Sequence, residues 1–349
     1  METLVYYFVY ILMGVILSLV NDSICVPFVT LKKRQISGRT IKFGGYEVNE
    51  YLGIRYAQPP VGPLRFQKTQ ELCEVPGKFE AVNMPPACHQ YTEYPYPWYV
   101  NGSYRSEDCL FLNIWTPVDA SLSNQKAVLF WLHGGGFKLG SIQDRLYCGV
   151  ALAAIGDIIV VTVNYRLGAF GFLTTDTDEA PGNAGLWDIL EALKWVNQNI
   201  EFFGGDTSRI TIAGESAGAI TVGYLSISPL GAGLFGHMIM ESGSPGMFSQ
   251  ETKPLNLALA ELLAEKVGCA NDSHSLMDHR QSVTECLKMV EAGDLERAEF
   301  EILPNASQDF LPQYGDELLP KGPRNAVFNG EFRCKKLLIG HNSQEASIL

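Results

Sequence analysis

The chain has 349 residues, 46% of them hydrophobic and 18% charged, with a formal net charge of -12. That apolar content is enough to bury a large core and excludes a disordered polymer. The acidic balance argues against nucleic acid or an anionic membrane as partner, because either needs a basic face.

Leu4 to Val20 is an uninterrupted run of apolar, aromatic and small residues followed by Asn21-Asp22-Ser23. It reads as a signal peptide over residues 1–22, with secretion as the expected destination. The flank before the run lacks Lys and Arg and carries Glu2, so an uncleaved N-terminal anchor is the alternative. No linker, charge block or repeat divides residues 23–349, which are expected to form one domain. The eight cysteines and the sequons at Asn101, Asn271 and Asn305 fit an oxidising compartment.

Residues 40 to 125 are rich in Pro and turn residues and are expected to form antiparallel edge strands and loops over a sheet. From about residue 127 the pattern changes. Ala127 to Leu132 and Ile158 to Val163 are continuous apolar runs, as strands buried on both faces should be. A helix beginning near Leu186 repeats Leu186, Ile189, Leu190, Leu193, Val196 and Ile200 at the spacing of one buried stripe. Arg209 to Ala213 is a further strand, and Leu337 to Gly340 another. This alternation predicts an α/β fold with a mostly parallel sheet and helices on both faces.

Gly214-Glu215-Ser216-Ala217-Gly218 lies between the Arg209–Ala213 strand and a helical stretch, the context of a nucleophile elbow. A sharp strand-to-helix turn strains its central residue, and flanking glycines let the turn close while Ser216 Oγ projects outward. His133-Gly134-Gly135-Gly136-Phe137 directly follows Leu132. It matches the loop whose N–H groups accompany such an elbow. With Ala217, the donors at Gly135 and Gly136 would stabilise a tetrahedral oxyanion, each by roughly 3 kcal/mol. Either motif alone also fits an ordinary glycine-rich turn.

Further motifs surround these two: Asn164-Tyr165-Arg166-Leu167-Gly168-Ala169-Phe170-Gly171-Phe172, Ser106-Glu107-Asp108-Cys109-Leu110-Phe111-Leu112-Asn113-Ile114-Trp115, Gly53 to Gly62, and Glu241-Ser242-Gly243-Ser244. With them the chain resembles the type-B carboxylesterases and cholinesterases from about residue 30 to its end. The resemblance implies the α/β-hydrolase fold and a serine carboxylic ester hydrolase that forms an acyl-serine intermediate. It needs no cofactor or metal, and its partner is a small-molecule ester. Carried over by position, it makes Ser216 the nucleophile, Gly135, Gly136 and Ala217 the oxyanion donors, and Glu345 the acid that orients an imidazole.

The family places its catalytic His well downstream of the acid, and none of His89, His133, His237, His274, His279 and His341 stands there. The chain is therefore expected to be C-terminally truncated relative to the family, and poorly active by itself. Membrane attachment would need the N-terminal segment or a missing C-terminal anchor.

The resemblance also implies disulfides Cys88-Cys109 and Cys269-Cys286, and ion pairs Arg65 with Glu107 and Arg166 with Asp188. It assigns no partner to Cys25, Cys73, Cys148 or Cys334, and a free Cys25 could link two chains into a dimer. For substrate binding it points to Glu215, Trp98, Tyr91 and Glu93, the last two favouring cationic esters. Ala306 and Gln308 stand where an acetyl-selective pocket has aromatics, and Lys138 replaces an aromatic after Phe137. A general carboxylesterase is thus expected over a cholinesterase. The alternative is a cholinesterase-like adhesion or binding protein without turnover, although such proteins typically lose a member of the triad and Ser216 is retained.

Overall fold

Every strand that the apolar runs predict from residue 127 onward is present, and among the described residues five strands of the main sheet lie parallel. The structure is a computed structural model describing residues 26–73, 76–93, 104–247, 251–303, 309–333 and 336–345. The 1–22 segment, Cys25, Trp98, Asn101, Asn305, Ala306, Gln308 and Cys334 lie outside the described residues.

In chain order the strands are β1 (Phe28–Leu31), β2 (Arg34–Ser37), β3 (Arg39–Phe43), β4 (Tyr46–Arg55), β5 (Gly77–Glu80), β6 (Phe111–Pro117), β7 (Lys126–Leu132), β8 (Ile159–Val163), β9 (Thr174–Thr177), β10 (Ala180–Pro181), β11 (Gly205–Glu215), β12 (His237–Glu241) and β13 (Lys336–Gly340). Among the described residues the main sheet has eight strands in the order β13-β12-β11-β7-β8-β6-β4-β3. Pairing is parallel from β13 to β8 and antiparallel from β8 to β3.

Two expectations need correction. Within residues 40 to 125 only β3 is an edge strand of the main sheet, whereas β4 and β6 are interior members of it. Their register shifts between Tyr51 and Ile54. There the N–H of Gly53 turns to the Asn113 side chain at 2.9 Å. Such an irregularity breaks the period-two pattern that would mark an interior strand. In addition, β7 is not buried on both faces: Val128, Phe130 and Leu132 are buried, while Ala127, Leu129 and Trp131 are half-buried.

Helices cover both faces. The Val150–Gly156 helix packs Ala153 and Ala154 on Val48, Leu52, Trp115 and Val160. On the other face the Ala184–Asn199 and Ala217–Ile227 helices join Leu112, Val128, Phe130, Val161 and Ile212 in the main core. All six residues of the predicted stripe, Leu186 to Ile200, are buried.

The two disulfides form, Cys88 with Cys109 and Cys269 with Cys286. Cys73 and Cys148 are free and exposed. Arg166 and Asp188 make a buried pair, with Nη2 and Nε at 2.7 and 2.8 Å from the carboxylate. Arg65 Nε meets Glu107 at 2.7 Å.

Candidate active site

Because the five parallel strands run the same way, the residues that follow them gather at one end of the sheet, where ligands bind in open α/β folds. Glu215, Glu241 and Gly340 are register partners across β11, β12 and β13. The ladder runs one step beyond the strands. The Ser216 N–H bonds the Glu241 carbonyl, and the Ser242 N–H bonds the Gly340 carbonyl, both at 2.8 Å.

Ser216 sits between β11 and the Ala217–Ile227 helix at φ 52° and ψ -119°. A non-glycine residue rarely adopts that conformation, which costs on the order of 1–3 kcal/mol unless its surroundings hold it. Here the surroundings do. Besides the Glu241 bond, its carbonyl accepts the Ile220 N–H at 2.9 Å as the first turn of the helix. A Cβ on Gly218 would lie 2.9 Å from the His133 carbonyl and closer still to that of Leu132, so the turn closes directly onto the end of β7.

The loop after β7 lies against this elbow. A Cβ on Gly134 would stand 2.8 Å from the Glu215 carbonyl and 3.1 Å from Ser216 Cβ. Gly135, Gly136 and Phe137 follow with φ of 102°, 66° and 64°. Successive residues of this kind form concave arrays of N–H donors. Among the described residues, the N–H groups of Gly135, Gly136 and Ala217 make no hydrogen bond within the chain. Ala217 owes this to its place at the helix start, where N–H groups lack intrahelical partners.

His133 anchors the loop. It is buried, its Nδ1 donates to the Gly134 carbonyl at 2.9 Å, and its ring stacks on Tyr165 with centroids 4.5 Å apart. Burial pushes its pKa down to about 4, so the ring is neutral at physiological pH. The Tyr165 hydroxyl donates to the His133 carbonyl at 2.9 Å.

Glu345 follows β13 and is exposed, with its carboxylate accepting the Asn342 N–H at 2.7 Å. The Ser242 hydroxyl, and then this N–H, hold its pKa below the usual carboxylate range. Ser242, directly after β12, therefore ties that strand to β13 and its continuation twice, through its backbone to Gly340 and through its side chain to Glu345. Sequence reasoning gave Ser242 no role. Glu215 is half-buried, and its pKa is raised first by burial and then by the charges of Glu241 and Glu345.

Of the expected substrate-binding residues, Tyr91 donates to Glu93 at 2.9 Å. It also meets Phe300 edge-on at 5.2 Å, an aromatic that sequence reasoning missed. Lys138, following the loop, pairs with Asp309 at 2.8 Å. Asn271 is exposed in a turn where its Oδ1 accepts the Ser273 N–H at 3.0 Å. Among the described residues, no histidine is hydrogen-bonded to Ser216 or Glu345. His89 pairs with Glu296 at 2.7 Å, His274 stacks on His279, and His341 bonds the Asn342 carbonyl. No group of three or more potential metal ligands occurs among the described residues.

Comparison with known proteins supplies the family. Residues 26–349 match the model of the carboxylesterase family. Acetylcholinesterase-1 of Trittame loki is 38% identical over 341 residues, 94% of this chain and 60% of that protein. The acetylcholinesterase of Danio rerio is 36% identical over 311 residues, covering 85% of this chain and 48% of that protein. The cholinesterase of Mus musculus is 34% identical over 348 residues, covering 93% and 56%. The chain thus spans 48% to 60% of the length of these curated relatives.

Proposed function

Since the chain belongs to the carboxylesterase family, we propose that it is part of a hydrolase of carboxylic esters that works through an acyl-Ser216 intermediate. The observation that carries the reading is Ser216 held at φ 52° and ψ -119° against a loop whose Gly135 and Gly136 N–H groups make no other bond among the described residues. Ser216 Oγ adds to the ester carbonyl and its proton passes to a base. The carbonyl oxygen takes the negative charge and is met by the N–H groups of Gly135, Gly136 and Ala217. Collapse expels the alcohol, which takes the proton back, and water repeats the sequence on the acyl-serine. Glu345, kept ionised by Ser242 and Asn342, is the acceptor that would orient an imidazole base.

The preferred substrate is a neutral ester of a general carboxylesterase, because the Lys138–Asp309 ion pair borders the glycine loop where an acetyl-selective pocket would present aromatics. Cationic, choline-like esters are the second reading. They are favoured by the carboxylates of Glu215, Glu241 and Glu345 at one end of the sheet and by Tyr91 and Phe300 beside Glu93. The ratio of kcat/KM for acetylthiocholine to that for its uncharged dimethylbutyl isostere, in protein purified from its natural source, decides between them.

We place the protein in the secretory route on the strength of its two disulfides. No helix among the described residues is long and apolar enough to cross a membrane.

A fluorophosphonate probe tests the central reading in the 349-residue chain itself. Free imidazole, supplied as the base, should accelerate labelling of the chain and leave Ser216→Ala unlabelled. If Ser216 is labelled neither in the chain with imidazole nor in protein purified from its natural source, the hydrolase reading falls.

A further inference from the structure

Behind the glycine loop lies a buried carboxyl that the proposed reaction does not use. Glu299, on the Ala292–Ile302 helix, is 7% exposed. Its Oε2 accepts the Ala169 N–H at 3.0 Å. Among the described residues its Oε1 has no hydrogen-bond partner. The group lies flat on the chain at Gly168, where a Cβ would stand 2.6 Å from Oε2 and closer to Oε1. Gly168 in turn donates its N–H to the Phe137 carbonyl at 2.8 Å, and Phe137 closes the glycine loop at φ 64°.

The groups around Glu299 come from several elements. Lys138 and its partner Asp309 lie on one side. Glu296, one turn earlier on the same helix, faces His89 at 2.7 Å and Arg105 at 3.6 Å.

We propose that Glu299 is a positioning residue for the glycine loop, fixing the Phe137 carbonyl through Gly168 while it carries a proton and releasing it when ionised. The inference rests on the reading of Gly135 and Gly136 as oxyanion donors. Physically, a buried carboxyl with one donor is tolerated as the neutral acid. As an anion it would be poorly solvated there, with the Ala169 N–H as its one donor among the described residues, and would be drawn off the Gly168 backbone toward water and Lys138. Burial raises its pKa to about 7, with Asp309 and Glu296 adding to the rise and the Ala169 N–H and Lys138 opposing it. Its proton is therefore exchanged close to neutral pH.

The test is hydrogen exchange of segments 133–140 and 167–172 in wild type, Glu299→Gln and Glu299→Ala between about pH 5.5 and 8.5, corrected for intrinsic rates. Wild-type protection of both segments should fall about tenfold across that range. Glu299→Gln, which keeps the acceptor for Ala169 without titrating, should hold its protection, and Glu299→Ala should be unprotected throughout. Identical profiles for wild type and Glu299→Gln overturn the proposal, as does a loss in Glu299→Ala spread evenly over the chain. If Glu299→Ala does not fold, the comparison of wild type with Glu299→Gln decides alone.

Fluorophosphonate labelling with imidazole, run in parallel, separates the two readings. Exchange that behaves as expected with no labelling of Ser216, in the chain or in protein purified from its natural source, leaves the positioning intact and removes the hydrolase reading. Labelling that ignores Glu299 while exchange is unchanged removes the positioning alone.

Discussion

Gly134 lies so close to Glu215 that a single methyl group on it would stand 2.8 Å from the Glu215 carbonyl. The obstacle is backbone, so relief requires moving either the loop or the elbow. Gly134→Ala should therefore cut the second-order labelling rate of Ser216 at least about tenfold, since oxyanion donors act only when aimed. The melting temperature should change little by comparison. An unchanged labelling rate would mean that the two loops are not mechanically opposed.

The strain at Ser216 can be read as stability. Glycine adopts φ 52° and ψ -119° without the side-chain penalty. Ser216→Gly should accordingly raise the unfolding free energy by about 1 kcal/mol while abolishing labelling, and Ser216→Ala should abolish labelling without that gain. Equal urea midpoints for the two variants would count against strain at this position.

Two buried groups pull the pH dependence of stability in opposite directions. His133 has its pKa lowered from 6.5 to about 4, so the unfolded chain binds the proton first and stability is lost as pH falls through that window. Glu299 has its pKa raised from 4.5 to about 7, so the unfolded chain releases its proton first and stability is lost as pH rises. Glu299→Gln removes the second slope. Its stability relative to wild type should rise as pH climbs from 4.5 to about 7, by on the order of 2–3 kcal/mol in total. Urea denaturation at several pH values measures this, and a constant difference would contradict it.

Asp188 is fully buried and accepts from the Arg166 backbone N–H, from two nitrogens of its guanidinium and from Thr69. Asp188→Ala leaves a buried guanidinium uncompensated and should cost about 3–5 kcal/mol. Replacing both partners by apolar residues should cost less than the sum of the single changes, a coupling that a double-mutant cycle of unfolding free energies measures.

The centre of this fold was legible because its signals are local. β8 and the Ala184–Asn199 helix each bury a run or stripe that a short window reveals, and the elbow and glycine loop abut strands whose apolar runs announce them. β4 and β6 were misplaced because the shift between Tyr51 and Ile54 interrupts the alternation. Glu299 was invisible for a different reason. Nothing in Ala298-Glu299-Phe300-Glu301 sets Glu299 apart from the exposed Glu301, and only the apposition of Gly168, far away along the chain, marks that carboxyl as buried. The resemblance supplied Glu345 but not its support, since the Ser242 hydroxyl reaches it from a neighbouring strand.

Ser216 follows a strand clasped on both sides by β7 and β12. Its strained seat is thus held by an interior strand of the sheet, so the amides of Ile210 to Gly214 should be among the slowest to exchange, and the serine should keep its conformation until the domain as a whole melts.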